Sequence, residues 1–113
     1  MTAYAVGHLT RVDIGPGVVE YLRRIDASLA PFGGRFIIHG GSPEVKEGAW
    51  DGALIVIAFP DLAAARAWYD SPGYQAILRY RTDNAEGAVF LIEGVDADHK
   101  ATDVLPRELA AAR

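Results

Sequence analysis

The chain contains no cysteine. This absence excludes disulfide bonds, thiolate nucleophiles, zinc ribbons and iron–sulfur clusters, and nothing indicates an oxidising compartment, so a cytoplasmic location is expected. The three histidines, His8, His39 and His99, are far apart in the sequence and make no recognisable metal triad. We therefore expect neither a metal site nor an organic cofactor.

Basic residues are also few. Eleven lysines and arginines stand against fifteen aspartates and glutamates, which gives a formal net charge of −4. No run of lysine or arginine could follow a phosphate backbone, so nucleic acid is not an expected partner. The longest apolar runs have the length of a strand, and the first residues lack a basic segment followed by an apolar one. Neither a membrane span nor an export signal is expected.

Hydrophobic residues make up 50% of the 113 positions, which is typical of one globular domain. Alternating or continuous apolar character predicts strands at 3–12, 35–39, 53–59 and 88–95. An apolar stripe at spacings of three and four predicts a helix that begins at Pro16 and extends towards Phe32. Asp61 is predicted to cap a second helix through Tyr69, and Ser71-Pro72 to start a short third helix.

The predicted order of strands and helices is βαββαβ. It indicates an α+β ferredoxin-like fold, an antiparallel sheet with its helices on one face. We assign residues 1–95 to this domain and residues 96–113 to a C-terminal extension with a short helix over 105–112. Both faces of the predicted strands are apolar over 53–59 and over 88–92. Leaving one sheet face in water would forgo several kcal/mol of burial energy, so we expect a homodimer that pairs through the sheet.

Short motifs along residues 3–95 resemble one family, numbered 1330 among domains of unknown function. The residues that carry the resemblance are Gly33-Gly34-Arg35-Phe36, Gly40-Gly41, Glu44, Glu47-Gly48, Trp50, Phe59-Pro60, Ala64-Ala65-Arg66-Ala67-Trp68-Tyr69, Ser71-Pro72, Tyr74-Gln75, Arg81 and Glu93-Gly94. The resemblance implies a dimeric α+β barrel. The wider superfamily includes cofactor-free monooxygenases, lactone isomerases, haem-handling enzymes and binding modules, so the resemblance implies a fold and no particular reaction.

Two features depart from the family pattern. The stretch beyond Val95 does not align, and Gly73 stands where the family often has an acidic residue. The first departure leaves the role of the extension open. The second removes a carboxylate that could have taken part in a site.

His39 is the candidate catalytic residue. It ends the second predicted strand beside Gly40-Gly41, where a loop could open towards a ligand. Histidine changes its charge near neutral pH, so His39 could act as a general acid or base. The alternative is a histidine whose ring only satisfies the end of a strand by hydrogen bonding.

Four further side chains are candidates for substrate binding, namely Trp50, Tyr69, Tyr74 and Arg81. Aromatic rings with polar tips commonly line small-molecule pockets, and a guanidinium on the same helical stripe as Tyr74 could grip a carboxylate. The alternatives are packing for the aromatic residues and a structural ion pair for Arg81. Because Ser71-Pro72 interrupts the helix, we expect a cavity between the sheet and residues 69–81, bounded by His39 and the Trp50 loop.

Two hypotheses about function follow. The first is a cofactor-independent enzyme that performs acid/base chemistry on a small carboxylated metabolite. The second is a non-catalytic module that binds a small molecule or serves as a dimeric scaffold. A titratable partner within hydrogen-bond reach of His39 would favour the enzyme, and a filled, dry core would favour the module.

Overall fold

The centre of the protein is a four-stranded antiparallel sheet, seen in a computed structural model that describes residues 1–111. The strands are β1 (Ala3–Val12), β2 (Arg35–Ile38), β3 (Ala53–Phe59) and β4 (Ala85–Glu93). They lie in the order β2-β3-β1-β4, and each neighbouring pair is antiparallel. This order confirms the predicted ferredoxin-like arrangement.

Four helices connect the strands and a fifth lies near the C-terminus. They are α1 (Pro16–Leu29), α2 (Leu62–Asp70), α3 (Pro72–Gln75), α4 (Leu78–Thr82) and α5 (Arg107–Ala111), with 3₁₀ turns at Ala30–Phe32 and Ala101–Val104. The predicted caps are present, because Asp61 accepts a hydrogen bond from the Ala64 amide at 2.8 Å and Ser71 accepts one from the Tyr74 amide at 3.2 Å. No helix within residues 1–111 is long and apolar enough to cross a membrane.

Several element boundaries differ from the prediction, among them the ends of β2 at Ile38 and of β4 at Glu93, one and two residues earlier than expected. The third predicted helix divides into α3 and α4 at a turn over residues 76–77, where the Ile77 amide donates to the Tyr74 carbonyl at 2.9 Å and the Ile77 side chain is buried in the core. The last strand begins at Ala85 rather than at residue 88. Its first residues, Ala85-Glu86-Gly87, have weak strand propensity, yet they pair with the end of β1 across a bulge that follows Leu9.

The two faces of the sheet have different environments. The inner face, which includes Ala5 and Ile57, packs against α1 and α2 and is buried. The outer face carries a row of apolar side chains in register, with Val6 lying between Val56 and Phe90. Phe90 is 47% exposed in this single chain. The outer face is therefore an unusually apolar surface for a monomer.

Trp68 is the largest fully buried side chain. Its indole N–H donates to the Ser28 hydroxyl at 3.0 Å, and that hydroxyl donates to the Ile25 carbonyl at 2.6 Å. This chain of hydrogen bonds satisfies the polar atoms of α1 and α2 where they meet, so the core can be dry there.

Residues 96–111 lie beyond the sheet, and most of them are exposed. The helix expected at 105–112 is present as α5 over Arg107–Ala111. The last two positions of the predicted extension, 112 and 113, lie outside the described residues. The assignment of 96–113 as a separate extension stays a prediction.

Candidate functional site

A cavity of about 340 Å³ lies between the inner face of the sheet and α1. Its floor includes Gly7 of β1, Ile55 of β3 and Val89 of β4, and its roof includes Val18 and Leu22 of α1. The lining is almost entirely apolar, and the volume falls within the range that holds a small organic molecule.

The cavity is closed at one end and open at the other. The residues at the closed end, among them Trp68 and Ile25, are no more than 3% exposed. Lining residues at the other end reach the surface, with Ile14 at 76% and Leu22 at 44% exposure. The start of α1 and the loop before it therefore form part of the entrance.

Three polar side chains from three helices meet at the cavity wall. Tyr21 of α1 and Tyr74 of α3 share a hydrogen bond of 2.8 Å between their hydroxyl groups. Arg81 of α4 places its guanidinium carbon 6.0 Å from the centre of the Tyr21 ring. All three line the same cavity. We call Tyr21, Tyr74 and Arg81 the polar triad.

Arg81 is half-buried, and within residues 1–111 it forms no ion pair with a carboxylate at 4.0 Å or less. Burial opposes its charge, but the oxygens of Tyr74 and Tyr21 outweigh that effect and raise the pKa of Arg81 above its usual value. The cavity therefore contains a permanent cation.

Tyr21, in contrast to Arg81, is held in its uncharged form. Burial, followed by the neighbouring Tyr74 hydroxyl, raises the pKa of Tyr21 well above the ordinary value for tyrosine. Tyr21 is therefore a neutral phenol at physiological pH. Two hydroxyl groups carry two protons, and the bond between Tyr21 and Tyr74 uses one of them. The other proton is free to be donated to a ligand oxygen.

His39 follows directly after β2 and lines the cavity at its exposed side. Its ring stacks on Phe36, with ring centres 4.4 Å apart and an angle of 19° between the planes. No hydrogen bond joins the His39 ring to another residue in the described part of the chain. The ring nitrogens of His39 are therefore available to hydrogen-bond with solvent or with a ligand.

Trp50 and Tyr69 do not line the cavity. Trp50 stacks on His8, which lies on the outer face, with ring centres 4.4 Å apart. The His8 ring nitrogen Nε2 also lies 2.9 Å from the Asp51 carbonyl oxygen, so the loop is held on that side of the sheet. Tyr69 packs against Tyr74 from behind at 5.4 Å between ring centres.

Of the five predicted site residues, the structure brings His39, Tyr74 and Arg81 to one cavity. The cavity lies mainly under α1 rather than under residues 69–81, so the expected Trp50 boundary is absent and α1 provides the roof. Tyr21 was not predicted. Its spacing contains a signal, because it lies three residues after Val18 and four before Ile25, on the inward stripe of α1.

The site has the chemistry of an organic-ligand pocket. Within residues 1–111, no group of three or more histidine, aspartate or glutamate side chains is arranged to hold a metal ion. The apolar walls can hold a hydrocarbon body by burial, and the polar triad can hold an oxygen-bearing or anionic end.

The fold and the cavity define the class: a ferredoxin-like α+β domain with a ligand-sized space beneath its helices. The chain belongs to the family described as Domain of unknown function (DUF1330), which matches residues 2–95. This match confirms the resemblance seen in the sequence. No curated protein shows significant sequence similarity to the chain.

Several solved structures share the fold. A protein of unknown function from Rhodopseudomonas palustris has a TM-score of 0.59 at 13% identity, with 84% of this chain and 83% of that chain covered. A dimeric ferredoxin-like protein of unknown function from Jannaschia sp. CCS1 has a TM-score of 0.61 at 16% identity, with coverage of 85% and 100%. SnoaB, a cofactor-independent oxygenase from Streptomyces nogalater, has a TM-score of 0.57 at 18% identity, with coverage of 88% and 98%. These similarities establish the fold.

Proposed function

We propose that this protein binds a small, mainly apolar molecule whose carboxylate or other oxyanion lies against the polar triad. The observation that carries the proposal is the cavity of about 340 Å³ in which Arg81 stands without a carboxylate partner among residues 1–111. The phenol oxygens of Tyr21 and Tyr74 stabilise the charge of Arg81, and no carboxylate within residues 1–111 takes up the donors of its guanidinium. A ligand carboxylate can accept from those donors.

The apolar walls and the polar triad have different roles in binding. The apolar walls contribute affinity in proportion to the buried area of the ligand, without directional preference. The guanidinium can donate two parallel hydrogen bonds to a carboxylate, which fixes the orientation of the ligand. The remaining phenol proton of the Tyr21–Tyr74 pair can be donated to the same anion.

Arg81→Gln is expected to weaken carboxylate binding by about 1.5–3 kcal/mol, the usual contribution of a hydrogen bond to a charged group. Isothermal titration calorimetry with aromatic and aliphatic carboxylates measures the loss, and the corresponding neutral amides show whether charge is recognised. Arg79→Gln is the matched control, because Arg79 lies on the same helix, is exposed and pairs with Asp83 at 3.9 Å. A wild-type protein that binds amides as tightly as carboxylates would contradict the proposal.

A second candidate is a cofactor-independent enzyme that transfers a proton. One observation favours it: His39 lines the same cavity as the cation and the phenol proton, a set that could stabilise an enolate while the imidazole takes the proton. SnoaB, of the same fold, is described as a cofactor-independent oxygenase. The imidazole takes the proton from the carbon next to a carbonyl and becomes imidazolium, the C–H electron pair forms the C=C bond of the enolate, and the π pair of the carbonyl moves to its oxygen.

His39→Gln is expected to leave carboxylate affinity within about twofold of wild type while abolishing hydrogen–deuterium exchange at the acidic carbon of a bound keto acid. Proton NMR in heavy water follows the exchange. His99→Gln is the control, because His99 lies in the extension and not in the cavity lining. Absence of exchange in the wild type leaves the binding function as the sole proposal.

We further propose that two copies pair through the outer face. That face exposes three large apolar side chains, Ile38, Phe90 and Ile92, each at least 42% accessible to solvent. Val56 lies opposite Ile38 in the register of the sheet. Burying this surface against a second copy removes it from water, and a twofold axis makes the same patch serve both partners. The Jannaschia protein of the same fold is described as dimeric.

A further inference from the structure

Gly7 occupies the middle of β1, the central strand over which the cavity lies. It is buried on the inner face, between Ile55 of β3 and Val89 of β4. Its backbone does not require glycine, because the positive-φ glycines are at positions 33, 40, 48, 52 and 87. Glycine weakens the interior of a strand, so its presence here calls for another explanation.

Packing does not supply that explanation. A Cβ atom at position 7 would find its nearest neighbours at 3.8 Å (Ile55 Cβ and Cδ1) and 3.9 Å (Val89 Cγ2), which is ordinary van der Waals contact. Gly34 is different, because a Cβ there would lie 2.7 Å from Phe59 Cε1. A methyl group at position 7 would therefore fit in contact with Ile55 and Val89, and the space it would occupy borders the cavity.

The side chains of Ile55 and Val89 flank this space. They belong to the strands on either side of β1, whose backbones are about 10 Å apart, and their atoms approach position 7 to 3.8 and 3.9 Å. Both are β-branched and stand up from the sheet, so the missing side chain at position 7 forms the bottom of a groove between two walls. A rigid ring can enter such a groove, and any side chain at position 7 would occupy it.

We propose that Gly7 determines the specificity of the site by admitting a ring in the body of the ligand. The preferred ligands are then carboxylates with a cyclic apolar body. The affinity for linear carboxylates depends less on the residue at position 7. This inference rests on the proposed binding function and adds the class of ligand to it. Glycine weakens the strand, but a side chain at position 7 would fill the groove that the ligand uses.

Two carboxylates with the same number of carbon atoms test the inference, naphthoate and undecanoate. Gly7→Ala is expected to raise the thermal midpoint of unfolding and to weaken naphthoate binding by about tenfold, while undecanoate affinity changes by less than about threefold. Gly7→Val should widen the difference. Calorimetric titration gives the affinities and differential scanning fluorimetry gives the midpoint.

Gly73→Ala is the matched control. It makes the same chemical change in α3, outside the cavity lining, where the nearest atom to the new Cβ is Ser28 Cβ at 4.0 Å. It should leave both affinities unchanged. Equal losses for both carboxylates, or no loss, in Gly7→Ala would overturn the role of Gly7 while leaving the binding proposal intact. A wild-type protein that binds neither carboxylate would reject both.

Discussion

Trp68→Ala is expected to lower the free energy of unfolding by about 3–5 kcal/mol, the range found for large aromatic residues in cores. Trp68 is 2% exposed, and its ring centre lies 4.1 Å from that of Tyr74 and 5.4 Å from that of Phe59. Removing the indole would join its volume to a cavity that already exists. Because the surrounding groups cannot close over so large a space, the upper part of that range is expected.

Urea denaturation followed by circular dichroism measures this loss. Trp50→Ala is the matched control, since Trp50 is 41% exposed and its removal should cost less than about 1 kcal/mol. Trp68→Phe separates the contribution of ring packing from that of the hydrogen bond, because it retains an aromatic ring and removes the N–H that donates to Ser28. Equal losses for Trp68→Ala and Trp50→Ala would show that the core assignment is wrong.

Phe90→Asp is expected to convert a homodimer into monomers at micromolar concentration. Phe90 lies in the same row as Val6 and Val56 on the outer face, so pairing through this face would place the new carboxylate among apolar side chains. An unpaired charge in such a setting is strongly unfavourable, and a twofold axis introduces it twice per dimer. Sedimentation equilibrium over a range of concentrations gives the dissociation constant.

Val19→Asp provides the control for added charge. Val19 lies on α1, is 37% exposed and is not in the cavity lining, so the same substitution there should leave the dissociation constant unchanged. Circular dichroism checks that both variants remain folded. A wild-type protein that sediments as a monomer, or a Phe90→Asp variant that dimerises as tightly as wild type, would contradict the proposed interface.

Most of the fold could be predicted because its signals are local. Alternation located β1, continuous apolar character located β3, and the Asp61 and Ser71 caps located the starts of two helices. The start of β4 has no such signal in the sequence. Ala85-Glu86-Gly87 is a poor strand sequence that is extended because it pairs with the end of β1. Long-range pairing overrides weak local propensity there.

The site was less predictable, because a cavity depends on how elements approach one another. Tyr74 and Arg81 could be placed on one stripe, but the position of α1 over the sheet brought Tyr21 to them. Trp50 illustrates the limit most clearly. An irregular loop has no periodicity that indicates which face of the sheet it covers. Trp50 lies on the outer face because it stacks on His8, a residue far from it in the sequence.

The position of the polar triad has a consequence for how the chemistry of the cavity could be changed. All three side chains of the triad come from helices, whereas the strands contribute apolar floor and the outer face. If the proposed ligand binds, substitutions at positions 21, 74 and 81 would alter which head group is recognised, while strand pairing and the outer face would stay the same. Ligand choice and any pairing through the outer face would then be properties of separate parts of the chain.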